Sequence, residues 1–310
     1  MKLNSGVTDG NQQLEQYLKQ LEGSMGGPVT TGNVYFVIPT ANSNYTAFVT
    51  RYQKTYEEGS VMIQSTLTAA LAACVTNRGD TIYIAPGYTQ SIIGAAGQTI
   101  TKNGITIVGL GNGAKTPTFT WTTAVGASFD ISGADVTLYN LKFVAGLDAI
   151  TAMFNVTGAD VFFNSCEFTT NTAALGVVLG ILTAATAARL RVENCRFLGT
   201  AANSGTTTTA QIKHEVGVDY IIKNNYFTGK MTQAILNATA VLRGLIDGNR
   251  FVVATGTVAI TMHASSTPFI VNNRINVPSG TAPIVAAAGF VSGNNYSAAA
   301  GVTAGTASTI

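Results

Sequence analysis

Charge is the scarcest property of this 310-residue chain. Only 10% of its residues are Asp, Glu, Lys or Arg, and 17 basic against 15 acidic side chains leave a formal charge of +2. So weak a field argues against the basic surface that holds nucleic acid or an anionic membrane. Histidine occurs twice (His214, His263) and cysteine three times (Cys74, Cys166, Cys195), without metal-ligand spacing. Neither a zinc site nor a disulfide framework is expected, and the thiols read as reduced and buried. No run approaches the roughly 20 apolar residues of a membrane span, and MKLNSGVTDGNQQ has no apolar leader core. The expectation is a globular protein made in a cytoplasm, with no cofactor and no nucleic-acid or membrane partner.

What the chain does have is an internal repeat. Aligned on the polar residue three before each Phe, seven segments fall into register: VTLYNLKF, VFFNSCEF, LRVENCRF, YIIKNNYF, GLIDGNRF, PFIVNNRI and FVSGNNYS. Their turn residues are Asn140, Ser165, Asn194, Asn224, Gly248, Asn272 and Asn294, spaced 25, 29, 30, 24, 24 and 22 apart. A period in the twenties with one marked strand per repeat points to a solenoid, whose turns bury their apolar faces only by stacking. Two apolar columns then face inward. One is Leu138, Phe163, Val192, Ile222, Ile246 and Ile270; the other is Phe143, Phe168, Phe197, Phe227, Phe251 and Ile275. Asn and Gly at the turn predict a left-handed corner in every coil, and a second Asn column (225, 249, 273, 295) predicts amides bonding up and down the stack.

Outward columns mostly alternate in sign: Asp135, Asp160, Arg189, Asp219, Arg243; Glu193, Lys223, Asp247; Lys142, Glu167, Arg196. Stacked neighbours of opposite charge fix the register, each exposed pair contributing about 0 to 1 kcal/mol. Upstream, GDTIYIAPGYTQSI and NGITIVGLGNG supply two further coils, with Ile82 and Ile84 set against Ile105 and Ile107 at a spacing of 23. Leu67, Leu71 and Cys74 in STLTAALAACVTNR lie at helical spacing, a short amphipathic helix suited to cap the first coil.

The helix, the RGDTIYIAPGYTQSI and ITIVGLGNG segments and the Asn-rich corners together resemble the right-handed parallel β-helix of the pectin-lyase-like superfamily, over about residues 61–297. More narrowly, GNVYFVIPTANSNYTAFV ahead of STLTAALAACVTNRGDTIYIAPG is similar to β-helix proteins of tailed bacteriophages, which are virion components. The fold class implied is all-β: a right-handed parallel β-helix of about 8–9 coils, roughly 40 to 45 Å long, with an N-terminal α-helical cap and arm. Residues 1–33 form the arm, 34–78 an α/β capping region and 79–310 the β-helix.

Within the arm, Leu14, Tyr17, Leu18 and Leu21 fall on one stripe at i, i+3, i+4 and i+7, followed by the flexible tether GSMGGPVTTG. Twelve residues do not hold a helix alone, so the stripe docks either on its own solenoid or on another subunit. VYFVI (residues 34–38) reads as a strand, and Tyr45, Phe48, Val49 and Tyr52 as a second helical stripe across the N-terminal end of the solenoid.

Many proteins of the resembled superfamily cleave polysaccharides, so a catalytic site has to be sought. Asp135 and Asp160 share a column 25 residues apart, which would set their carboxylates about 5 Å apart, the separation of a retaining glycosidase pair. Arg189 follows as a neutralising partner, and no family catalytic motif accompanies the pair. GLGNG lacks the Lys and Ser or Thr of a nucleotide loop and reads as a corner. Arg78-Gly79-Asp80 joins the cap helix to the first strand. Cys166 and Cys195 stack in adjacent coils but point the same way, so free thiols are expected.

The resemblance, with no catalytic or metal residues assigned, implies a non-enzymatic structural protein of a tailed-phage virion. Its expected role is decorating or cementing the head, through a partner-binding arm (Leu14, Tyr17, Leu18, Leu21) on the major capsid protein or other virion subunits. It is expected to be homo-oligomeric, a trimer being the form common among such proteins. The alternative is a carbohydrate-active or carbohydrate-binding β-helix: a lyase, a hydrolase or a tailspike-like receptor binder.

Overall fold

Short apolar strands separated by polar corners have one economical arrangement, each coil laid parallel on the last, and the chain takes it. The computed structural model describes residues 32–43, 45–52, 62–199, 206–215, 217–255, 258–277, 283–285, 291–293 and 295–297. These form a parallel β-solenoid of about nine turns. One face is a sheet running from Val34–Val37 through Thr81–Ile84, Thr106–Gly109, Thr137–Tyr139, Phe162–Asn164, Arg191–Glu193, Ile221–Lys223, Val241–Asp247 and Thr267–Val271 to Val291–Gly293. The opposing faces form a second sheet, joined through the long strand Tyr226–Asn237. Among the described residues no helix is long and apolar enough to cross a membrane.

The columns of the sequence are columns in space. Phe143, Phe168, Phe197, Phe227, Phe251 and Ile275 pair in register, and Phe168–Phe197, Phe197–Phe227 and Phe227–Phe251 stack face to face at 4.5, 4.7 and 4.9 Å. Leu138, Phe163, Val192, Ile222, Ile246 and Ile270 are fully buried beside them. The turn residues Asn140, Ser165, Asn194, Asn224, Gly248 and Asn272 all have φ between 53° and 66°, the left-handed corner that their side chains tolerate. Asn294 lies outside the described residues.

Next to that corner the amides form a ladder. Asn225 Nδ2 donates to Asn249 Oδ1 at 3.0 Å, Asn249 to Asn273 at 3.0 Å, and Asn273 to Asn295 at 2.9 Å. Each Oδ1 also accepts the backbone N–H of the preceding turn, beginning with Cys195 N–H to Asn225 at 2.8 Å. Leu141, Cys166 and Cys195 occupy the same column in earlier turns, so thiols give way to amides along one line. All three cysteines are free and buried.

One expected register is corrected. Ile82 stands opposite Ile107, 25 residues on, and Ile84 opposite Gly109. A two-residue shift leaves every side chain on the same face, so the apolar pattern alone does not distinguish the two registers. At Gly109 the next corner also presses close: a Cβ there would sit 2.1 Å from the Asn140 carbonyl oxygen.

At the N-terminal end, Val34–Val37 extends the first sheet by pairing in parallel with Thr81–Ile84. The helix Leu67–Ala73 is capped by Thr66, whose side chain accepts from Ala69 N–H, and sends Leu67, Ala70 and Leu71 into the main core. The stripe at Tyr45, Phe48, Val49 and Tyr52 is helical over Tyr45–Tyr52. Asp80 holds this end together. Fully buried, it accepts from Asn33 N–H (2.8 Å), Val75 N–H (2.7 Å) and both arms of the Arg78 guanidinium, whose Nη2 also reaches the Tyr35 hydroxyl.

Candidate functional site

Five residues before the turn residues Asn140, Ser165, Asn194, Asn224 and Gly248 the backbone turns a second left-handed corner. Asp135, Asp160, Arg189, Asp219 and Arg243 have φ of 53° to 60°. For an Arg this conformation costs about 1 to 2 kcal/mol, which the ion pairs of this corner help to offset. Arg189 binds Asp160 through both guanidinium arms, Nε to Oδ1 at 2.6 Å and Nη2 to Oδ2. Arg243 binds Asp219 in the same way at 2.6 and 2.9 Å. Together with the outward face of the adjoining strands, this corner walls a groove of about 670 Å³, lined among others by Gly104, Asp135, Thr137, Phe162, Arg191 and Ile221. Thr137, Phe162, Arg191 and Ile221 are themselves in register across successive turns, with the Arg191 guanidinium 4.2 Å over the Phe162 ring.

Two carboxylates of the groove, Asp160 and Asp219, are each neutralised by an arginine one turn on. The hydrogen bonds and charge of Asp160 raise the Arg189 pKa, with Asp219 and Asp135 adding to the effect. The Arg243 guanidinium, bonded to Asp219, holds that carboxyl below its ordinary range. The structure thus brings Asp135 and Asp160 to one wall but commits Asp160 to Arg189, so the two carboxylates do not face each other as a free pair. A groove with an aromatic floor and fixed charges of both signs can hold an extended polar chain; a carboxylate locked between guanidinium arms is a poor nucleophile or acid.

The remaining charge columns pair much as the alternation of sign predicts. Glu167 bridges Lys142 (3.0 Å) and Arg196 (3.1 Å), and Lys223 meets Asp247 at 3.3 Å. Glu193 instead takes Arg191 of its own turn at 2.7 Å. GLGNG is a corner, its Gly109 and Gly111 carbonyls accepting from Asn140 Nδ2. Arg78-Gly79-Asp80 is no exposed recognition loop, since Asp80 is buried and fully engaged. Leu14, Tyr17, Leu18 and Leu21 lie outside the described residues.

Sequence reasoning missed a polar chamber inside the solenoid. His214 occupies the inward column of Ile131, Val156 and Thr183, its Nδ1 3.1 Å from the Thr183 hydroxyl and its ring 4.6 Å from that of Tyr220. Asn237 follows in register and donates to the Tyr220 hydroxyl at 2.9 Å. The Tyr220 ring fits because Gly244 follows it: a Cβ there would lie 2.1 Å from the ring. Burial pushes the His214 pKa down to about 4. The only signal in the sequence was that this column passes from Ile131 and Val156 to Thr183, His214 and Asn237. Exposed His263 takes no part. Among the described residues no group of three or more His, Cys, Asp or Glu is placed to hold a metal ion.

A scan against protein-family models and searches of curated proteins and of solved structures gave no match to this chain.

Proposed function

We propose that this chain is a non-enzymatic structural protein of a tailed-phage virion. It decorates or cements the head, attached to the major capsid protein or another virion subunit through residues 1–33. In this reading the solenoid is the right-handed parallel β-helix of the pectin-lyase-like superfamily, and the helix Leu67–Ala73 caps its first coil. The observation that carries it is the self-neutralised surface: Asp160 and Asp219 are each held by both arms of an arginine one turn away. Charges spent in this way set the register of a rigid rod and leave those two carboxylates poorly suited to act as acid or nucleophile. The arm's apolar stripe, set beyond a Gly-rich tether, supplies the attachment element. The test is deletion of residues 1–27. The truncated protein should fold with the melting temperature of the full chain and no longer co-sediment with the particle; full particle binding by the truncated chain would overturn the reading.

The groove itself favours a second reading, a carbohydrate-binding or carbohydrate-cleaving β-helix. Phe162, Arg191, Asp135 and the two arginine-carboxylate pairs span several turns on one face, as a site for a linear glycan would. Polysaccharide cleavage by the wild-type chain that is lost in Asp160→Asn would establish it against the structural reading.

A further inference from the structure

One outward column of the second sheet runs Lys142, Glu167, Arg196, Tyr226, Arg250 and Arg274 in register. Its first three charges are matched, because Glu167 stands between Lys142 and Arg196 and bonds both. Its last two are not. Arg250 and Arg274 are exposed on successive turns about 4.8 Å apart. Among the described residues neither has a carboxylate within ion-pair distance. The Arg250 guanidinium lies 5.4 Å from the centre of the Tyr226 ring, a weaker contact than an ion pair. Val252 and Asn276, the next outward residues of the two strands, are uncharged and in register. Asp247, just before the corner, is taken by Lys223 and Asn272. Asp135 and Asp160 also stack like on like, but Arg189 neutralises Asp160. Like charges set side by side on paired strands repel, so the step from Arg250 to Arg274 departs from the pairing seen at Arg189, Arg196 and Arg243.

We propose that Arg250 and Arg274 together bind a tetrahedral dianion from solution, inorganic phosphate or a small phosphate monoester. The chain itself shows what an arginine does with a carboxylate. Asp160 takes both arms of Arg189, and Asp219 takes both arms of Arg243. One guanidinium thereby uses both oxygens of a carboxylate, and a second arginine beside it would stay repelled. Glu167 serves two cations because it occupies the turn between them, a place that does not exist between Arg250 and Arg274. Two guanidinium forks one turn apart instead suit a group in front of both, with two negative charges and more than two acceptor oxygens. A phosphate dianion has both, and arginine's planar fork matches its geometry. Binding draws Arg250 from Tyr226 toward Arg274 and cancels the repulsion between the two turns. This site goes beyond the proposed function and does not rest on it.

Titration of the full chain with inorganic phosphate tests it, followed by carbon-detected NMR at the arginine Cζ atoms. The ionic strength is held constant at about pH 8, where phosphate is a dianion. The Arg250 and Arg274 signals should move together and saturate with one dissociation constant. Those of Arg189 and Arg243, already bonded to carboxylates, should stay in place. Arg274→Gln and Arg250→Gln should each weaken phosphate binding by roughly tenfold or more, as the loss of one charge-assisted fork requires, with unchanged circular dichroism. Acetate should bind wild type more weakly than phosphate by a similar factor. Small unsaturating shifts at every arginine, undiminished binding in both variants, or acetate binding as tightly as phosphate would each overturn the proposal.

Discussion

The Asn225 amide donates to Asn249 Oδ1 at 3.0 Å, and the same oxygen accepts the Asn225 backbone N–H at 2.9 Å. One side chain thereby satisfies two buried donors of the neighbouring turn, while its own amide reaches the Ile222 carbonyl and Asn273. The contact repeats at every step of the ladder, so it specifies which turn lies on which.

Asn249→Leu keeps the volume and removes these bonds, leaving donors and an acceptor buried without partners on both sides. Each such group costs about 1 to 3 kcal/mol, with partial relaxation among neighbours. The expected loss is about 3 kcal/mol in urea denaturation. An exposed amide outside the ladder and outside the left-handed corners, Asn276→Ala, should cost well under half of that.

His214 makes stability depend on pH in a defined direction. Its folded pKa is lowered to about 4 from an ordinary value near 6.5. Below 6.5 the unfolded chain takes up a proton that the folded chain refuses. This contribution is therefore intact above about pH 6.5 and is lost as pH falls toward 4, by about 3 kcal/mol in total. Urea denaturation at pH 7.5 and 4.5 should show a smaller acid-induced loss for His214→Gln than for wild type; equal losses would contradict the assignment.

Asp80 works in the same direction at the other end. Burial alone would raise its pKa, but the Arg78 guanidinium and the N–H groups of Val75 and Asn33 outweigh this and hold the carboxyl below its usual range. Stability from this group is present above the unfolded carboxylate pKa and is lost as pH falls through the folded one. Asp80→Asn leaves a guanidinium with a weaker partner and should cost about 3 kcal/mol. Hydrogen exchange should accelerate first in the strand Val34–Val37, whose Asn33 anchor is released.

Much of this architecture was legible because a solenoid repeats its own evidence. Phe197 alone is an apolar residue, but with Phe168 and Phe227 at the same offset from a corner it becomes a column. The corners were legible from Asn140, Asn194 and Asn224, whose side chains suit left-handed backbone. The second corner was hidden because Arg189 and Arg243 carry no such preference and adopt it only with the carboxylate of the turn before. The register of Ile82 escaped because a shift by two preserves alternation. In the groove, Asp135, Asp160 and Arg189 were recognisable as one column, but Phe162 and Arg191 lie two residues on, and only the corner's geometry swings the two columns onto a common wall. The His214 chamber depends on Gly244 making room for Tyr220, a relation between residues a full turn apart that no local pattern encodes.

The stacking of turns, on which every reading above depends, can be measured directly by pulsed electron–electron resonance between spin labels on one outward column. Lys142, Glu167, Arg196, Tyr226, Arg250 and Arg274 succeed one another in register. With about 4.8 Å per turn, labels at Lys142 and Arg250 should lie ~19 Å apart and labels at Lys142 and Arg274 ~24 Å apart. A narrow distribution that lengthens by one strand spacing for those 24 additional residues is the predicted result. Broad distributions, or a change unrelated to that spacing, would contradict the solenoid.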